Sequence, residues 1–567
     1  MCAIRSVQHR IMTISKETDT EFDRLPDRLL QDDADVATFL NACVDQLKRD
    51  KEAYDNGSFE QVSDCALHMP RPGGHLDKRY RVAHTLAKML FPDLGDHDEP
   101  KVKTWGLILY SQLVSKLSAV VRARRREEEL ARLIPKKLFR DSCLMRNKNA
   151  PISDTVLNPV PMPVVEAPLV ELQPIIDALA GGGPIFHDAD MIEYVRGVMF
   201  SDGRLDLCKQ VVGPSHIEKV LKAMEGNNHV THFLLGNNIT GKAGAEAVAN
   251  YIIGGYHPKI ETWYLAGNEI DEDGAAILSE ALKKDECATS LWLKRNPIGP
   301  NAAKALGTML TVNSTLRTLD LLNTKLLDEG VANLFALLKE NRGLRGLYVD
   351  ANGLTKASAG PIADYFSTLT REKRKGLTRL WAGMNRLGDE GATTVLQALK
   401  DYPFIKTLSL NSNRLTFKAA EEVYNAFKTH KRIRVLDVGM YKATLDMGEY
   451  PNTVSDEGAS FLAKLLTENE SLEVLHLYEN EISNTGLGRL AAAMQGNQTL
   501  ISLGYAQAGV RYDKEIMDTI SRAIQRNLTQ RGIQGSGPEL KRLTKQLIHG
   551  KRVDYIDSIY RNRAMKS

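Results

Sequence analysis

The residues from Gly236 to Ala243, GNNITGKA, are the nearest thing in this sequence to a phosphate-cradling loop. Such a loop wraps backbone N–H groups around a phosphate, sets a Lys on it and needs a Ser or Thr hydroxyl next for magnesium. Lys242 is there, but Ala243 stands where the hydroxyl is required, so nucleotide binding is not expected. His187, Asp188 and Asp190, and likewise Asp96, His97 and Asp98, are metal-ligand types. They sit so close in sequence that their side chains diverge rather than close one coordination shell. No nucleophile elbow or kinase signature occurs. The six cysteines are scattered and form no Cys-x-x-Cys pair, which signals neither a zinc cluster nor a disulfide framework. The expectation is a chain with no catalytic residues, no metal and no cofactor.

Composition narrows the alternatives. Of 567 residues, 43% are hydrophobic and 26% charged, a soluble globular balance. A net charge of +3 is too small for a polyelectrolyte that binds nucleic acid. The basic stretch from Arg122 to Lys148 interleaves three consecutive Arg with three consecutive Glu and reads as a solvated helical face. No run of 18 or more apolar residues occurs, so no membrane association is expected, and the cysteine usage fits a reducing, cytoplasmic location.

The strongest signal is periodic. From about residue 204 one phrase recurs: an aliphatic, any residue, an aliphatic, two of any kind, a small polar residue, then an aliphatic two further on. LWLKRNPI, TLSLNSNRL and LHLYENEI are clear copies. Its polar position falls on Gln210, Asn238, Asn268, Asn296, Thr324, Asn352, Asn385, Asn413, Tyr441, Asn480 and Ala508, mostly 28 residues apart. The longest step contains an 11-residue insertion, Lys442 to Asn452, after which Asn452 re-enters the register. The insertion is expected to bulge as a surface loop whose deletion barely changes stability. Amphipathic stretches such as DEGVANLFALLKE lie between the phrases. Each repeat is therefore a short strand, a turn and a helix. The turn residues Asn238, Asn268, Asn296, Asn352, Asn385, Asn413 and Asn480 are expected to be buried, since an amide both donates to and accepts from the neighbouring turn.

This repeat resembles the leucine-rich repeat of the ribonuclease-inhibitor type, found also in Ran GTPase-activating proteins and in the sensor region of nucleotide-binding immune receptors. The resemblance covers roughly residues 190 to 515. It implies an α/β solenoid, a horseshoe of about eleven 28-residue repeats with parallel strands inside and helices outside, joined to a separate, mainly α-helical N-terminal domain. The expected organisation is 1–149 helical domain, 150–174 Pro-rich extended linker, 175–203 N-terminal cap, 204–510 repeats, 511–531 C-terminal cap and 532–567 basic tail. The tail carries nine Lys/Arg against three Asp/Glu from residue 530 on and reads as a flexible joint followed by a helix. Residues 190 to 530 are expected to fold alone.

In the strand phrase the two aliphatics point inward and the residue between them points to the concave face. That register, with its flanking positions, places Tyr264, Trp292, Lys294, Tyr348, Asp350, Arg379, Trp381, His476 and Tyr478 on one exposed surface. Trp, Tyr and Arg grouped so are the types that dominate binding hot spots. The expected function is non-enzymatic binding of a protein ligand on this face, by a chain monomeric when alone. The alternatives are a regulator of a small GTPase resembling Ran GTPase-activating proteins, and an F-box-like ubiquitin-ligase substrate receptor suggested by LPDRLL at residues 25 to 30.

Overall fold

The computed structural model describes residues 165–562, apart from 188, 257–258, 445–446, 448, 509 and 534–537. Leu25 to Leu30, Asp96 to Asp98 and the basic stretch at 122–148 lie outside the described residues, as does the expected helical domain. Thirteen three-residue strands form one sheet in chain order. They are β1 (Met191–Glu193), β2 (Val198–Phe200), β3 (Arg204–Asp206), β4 (His232–Leu234), β5 (Thr262–Tyr264), β6 (Ser290–Trp292) and β7 (Thr318–Asp320). Then follow β8 (Gly346–Tyr348), β9 (Arg379–Trp381), β10 (Thr407–Ser409), β11 (Val435–Asp437), β12 (Val474–His476) and β13 (Ser502–Gly504). β1, β2 and β3 pair antiparallel and close the first edge; from β3 to β13 all pairing is parallel. A helix follows each strand from β3 onward. The chain is an α/β solenoid.

Its curvature follows from size. Hydrogen-bonded strands lie about 4.8 Å apart, whereas packed helices cannot approach closer than about 8 Å. Stacking one of each per repeat forces the strands to the inside of an arc and gives the sheet a concave outer face. The middle residue of each strand, Leu205, Leu291 or Leu408 for example, enters one continuous core with the helices' apolar faces. Trp263, in the middle of β5, belongs to that core.

Where each strand ends, an Asn stitches two repeats together. Asn296 accepts from the backbone N–H of Asn268 (2.8 Å) and Ile270 (3.1 Å), and its amide nitrogen donates to the carbonyls of Leu265 (2.9 Å) and Leu293 (2.8 Å). Asn238, Asn268, Asn352, Asn385, Asn413 and Asn480 make the equivalent bonds and are buried. Thr324 keeps one donor, to the Leu321 carbonyl at 2.8 Å. At the last junction the amide comes one residue early: Gln507 accepts from Glu481 N–H at 2.7 Å. A second row, at the opposite ends of the helices, was not read from the sequence. Asn313, Asn341, Asn469, Asn497 and Asn527 each donate to the carbonyl of a residue in the preceding repeat and are buried.

Three expectations need correction. The stretch read as an extended linker to 174 is helical from Leu169: the helix Leu169–Ala180 contains Pro174 and buries Leu172, Ile175 and Leu179 in the main core. A fragment starting at 190 would strip those side chains from the first repeat. The insertion is not a free bulge. Its Thr444 is buried and bonded to Ser412 at 2.7 Å, and its buried Glu449 receives both Arg386 (2.7 Å) and Arg414 (3.3 Å). Asn452, not the exposed Tyr441, takes the place in the Asn row, accepting from Asn413 N–H at 2.7 Å and Leu415 N–H at 2.9 Å.

Deleting Lys442 to Asn452 thus restores the spacing but removes an amide that satisfies four backbone groups. Each buried group left unmet costs about 1 to 3 kcal/mol. The deletion is expected to destabilise the chain measurably in chemical denaturation, and an unchanged midpoint would show that Tyr441 can replace Asn452.

Candidate concave-face site

The residue after each strand's core position stands on the concave face, and in-register pairing stacks these residues across strands. Tyr264 lies beside Trp292, and Tyr348 beside Trp381. Their rings form a column: Tyr264 to Trp292 at 6.2 Å, Trp292 to Tyr348 at 5.4 Å, and Tyr348 face to face with Trp381 at 3.7 Å with 2° between planes. Such pairs contribute about 0.5 to 1.5 kcal/mol each beyond burial. Lys294 sits over both Tyr264 (5.2 Å) and Trp292 (5.5 Å) and reaches Asp320 at 3.9 Å. With Leu234, Cys208, Val198 and Phe200 the rings make a second apolar cluster, separate from the main core.

The column was expected to be exposed. It is buried instead, Trp292 and Trp381 at 4% exposure each, because the chain's own C-terminal segment lies on it. After the tail helix Pro538–His549 the chain turns through two short 3-10 stretches, Lys551–Ile556 and Ile559–Asn562. The segment runs from β9 back to β3. His549 accepts from or donates to the Tyr348 hydroxyl at 3.0 Å and stacks on Tyr348 and Trp381. Gly550, at φ 96°, passes so close to Arg379 that a β-carbon would come within 2.8 Å of the guanidinium. Tyr555 stacks on His232 at 4.0 Å. Val553, Ile556 and Tyr560 join the aromatic cluster. At β3, Asp206 accepts from the Ser558 hydroxyl and the Ile559 N–H, both at 3.0 Å, while Arg204 donates to the Asp557 carbonyl at 2.8 Å.

The remaining nominated residues lie apart from the column. His476 faces Asp437 at 3.9 Å and Tyr478 at 5.5 Å between ring centres, and Tyr478 is 41% exposed. Asp350 is buried, accepts from Gly383 N–H at 2.9 Å through one oxygen and leaves the other without a partner among the described residues. The indole N–H groups of Trp292 and Trp381 are likewise unpartnered there. A cavity of about 390 Å³ opens between the strand ends, the insertion and the tail, lined by Lys294, Arg295, Tyr441, Met447 and Ile556 among others. The Gly236 to Ala243 stretch is a repeat turn: Asn238 belongs to the Asn row and Lys242 pairs with Asp273 on the surface. His187 and Asp190 are exposed.

These features define the class of protein: a solenoid of strand, turn and helix units, stitched by buried amides, with a column of aromatic rings on the concave face of its sheet. The chain is a leucine-rich repeat protein of the ribonuclease-inhibitor type. It is 30% identical over 264 residues to NACHT, LRR and PYD domains-containing protein 9 of Bos taurus, covering 45% of this chain and 24% of that protein. It is 26% identical over 243 residues to the ribonuclease inhibitor of Sus scrofa, covering 42% of this chain and 50% of that one. The chain thus spans between a quarter and a half of the length of these relatives. Among solved structures, yeast Rad7 in its complex with Elc1 aligns over 73% of this chain and 90% of its own, with a TM-score of 0.38 and 14% identity. No protein-family profile matches the chain. Among the described residues no helix is long and apolar enough to cross a membrane.

Burial, reinforced by the nearby Asp320 charge, pushes the Asp350 carboxyl up to about 8. The folded chain therefore holds a proton there that the unfolded chain releases near pH 4. Between those values folding takes up a proton, so this group's contribution to stability falls as pH rises from about 4 to 8. Asp350→Asn, which keeps the acceptor for Gly383 and carries no charge, is expected to flatten that decline and raise the melting temperature at pH 8. Equal or greater pH dependence in the variant, read by thermal melts from pH 5 to 9, would place the titrating group elsewhere.

Proposed function

We propose that this chain is a non-enzymatic interaction protein that binds a protein ligand on the concave face of its repeats, through Tyr264, Trp292, Tyr348 and Trp381, with Lys294 and Arg379 at their margin. One observation supports the reading most. The main core already stabilises the solenoid, and the aromatic column is a second apolar surface, outside that core, covered by a polypeptide segment. A surface that only needed to be soluble would carry polar residues at these outward positions. Buried Trp and Tyr clusters of this kind supply most of the affinity at protein interfaces.

Full-length chain immobilised from solution and challenged with native lysate is the test, beside a Trp292→Ala, Trp381→Ala double variant and a Lys356→Ala control on the helical side. Circular dichroism verifies that all three keep the solenoid. An anchor of this type contributes on the order of 2 kcal/mol, so the double variant is expected to bind its ligand at least about thirtyfold more weakly. The same proteins held equally by all three chains would remove the concave face from the function.

A further inference from the structure

The concave column and the tail fit each other as a receptor fits a ligand. His549, Val553, Ile556 and Tyr560 follow at steps of four, three and four residues, and the turn at Gly550 with the two 3-10 stretches brings them to one side of the segment. All four meet the concave face, three within its apolar cluster and His549 on its two stacked rings. A polar anchor fixes one end, where Asp206 holds Ser558 and Ile559 over β3, and at the other end Gly550 packs closely against Arg379 at β9. Ser558 and Cys208 line the same cavity beside the β3 anchor. The tail is braced within itself by Lys545 on Asp557 and by Gln546 on Asp554 at 2.6 Å, so it docks as a preformed piece.

The fit is incomplete in a particular way. The indole N–H groups of Trp292 and Trp381, one Asp350 oxygen and the Asn411 side-chain oxygen are buried on this face without hydrogen bonds among the described residues. Leaving such groups unmet is costly. A segment that covered the same apolar surface and also offered acceptors to the indoles and to the protonated Asp350 carboxyl would outcompete the tail.

We propose that residues 538–562 are an intramolecular ligand that closes the concave face, and that the partner enters by displacing it with a segment that presents the same side chains in the same order: His, aliphatic, aliphatic and Tyr. This rests on the concave-face reading and deepens it. A segment tethered through residues 531–537 acts at an effective concentration in the millimolar range. A free segment of equal intrinsic affinity, present at about 1 μM, is therefore outcompeted about a thousandfold. Only a ligand that satisfies the unmet groups, or a change that loosens the tail, opens the face.

The test uses the full chain and a fluorescent synthetic peptide of residues 538–562. Gly550→Val places a side chain against Arg379 and at a φ that such residues avoid, loosening the tail without touching the solenoid core. This chain is expected to bind the peptide at least tenfold more tightly than the wild type. Ser558→Cys puts a second thiol beside Cys208. Oxidation is expected to form a disulfide within one chain, seen on a non-reducing gel as a monomer, and to abolish peptide binding, which reduction restores. Several results would overturn the proposal: thiols that stay free, a disulfide that joins two chains, or peptide binding alike in wild-type, Gly550→Val and oxidised chains. The two readings fail separately. Peptide binding that ignores the latch removes the tail as ligand but leaves capture of foreign proteins standing, whereas capture that ignores Trp292 and Trp381 removes the concave-face reading itself.

Discussion

Strands at about 4.8 Å and helices at twice that distance cannot stack in a straight line, and almost everything distinctive in this molecule descends from that mismatch. The arc turns the sheet's outer surface into a cleft. It also leaves the strand ends without partners inside their own repeat, since three residues are too few to satisfy a turn. The buried amides of Asn268, Asn296 and Asn352 answer that need by bonding back to the turn of the preceding repeat, from which they accept N–H groups and to which they donate. The second row, Asn313, Asn341 and Asn469, does the same where helices return to strands. The arc is thereby clamped on both of its edges, and most outward positions of the strands carry no part of that clamp.

Those outward positions are where the protein becomes particular. Trp263 and Trp292 differ by one step of strand register, and the difference sends the first into the common core and the second into the cleft. In the cleft, aromatic side chains gather over β5 to β9, acids appear at β3, β7 and β11, and β12 carries the more open pair His476 and Tyr478. The insertion, anchored by Glu449 between two arginines, brings Tyr441 and Met447 to the rim of the same cleft.

The repeat, its strand positions and the identity of the concave residues were legible in the sequence because each is local: a period of 28 and an alternation of two carry them. The Asn452 substitution for Tyr441 was legible as a register restart, but the burial of Glu449 was not, since its partner Arg386 lies 63 residues away. The tail helix was legible, but its docking in the cleft was not, for the same reason. Ser558 meets Asp206 across 352 residues, and no short-range pattern announces a contact of that span. The spacing of Val553, Ile556 and Tyr560 was the available clue, an apolar face with no local surface to cover. The second Asn row was missed because attention to the strand phrase stops short of the helix ends.

Gly550 and Arg379 have a consequence that reaches beyond the single molecule. A side chain on Gly550 would enter the space the guanidinium fills, at a backbone φ of 96° that side-chain-bearing residues rarely adopt. It would meet both obstacles at once, though 171 positions separate the two residues in the chain. Across descendants of this sequence the glycine would be kept for as long as the segment rests in the cleft, and lineages that had lost the docked tail would be marked by larger residues in its place.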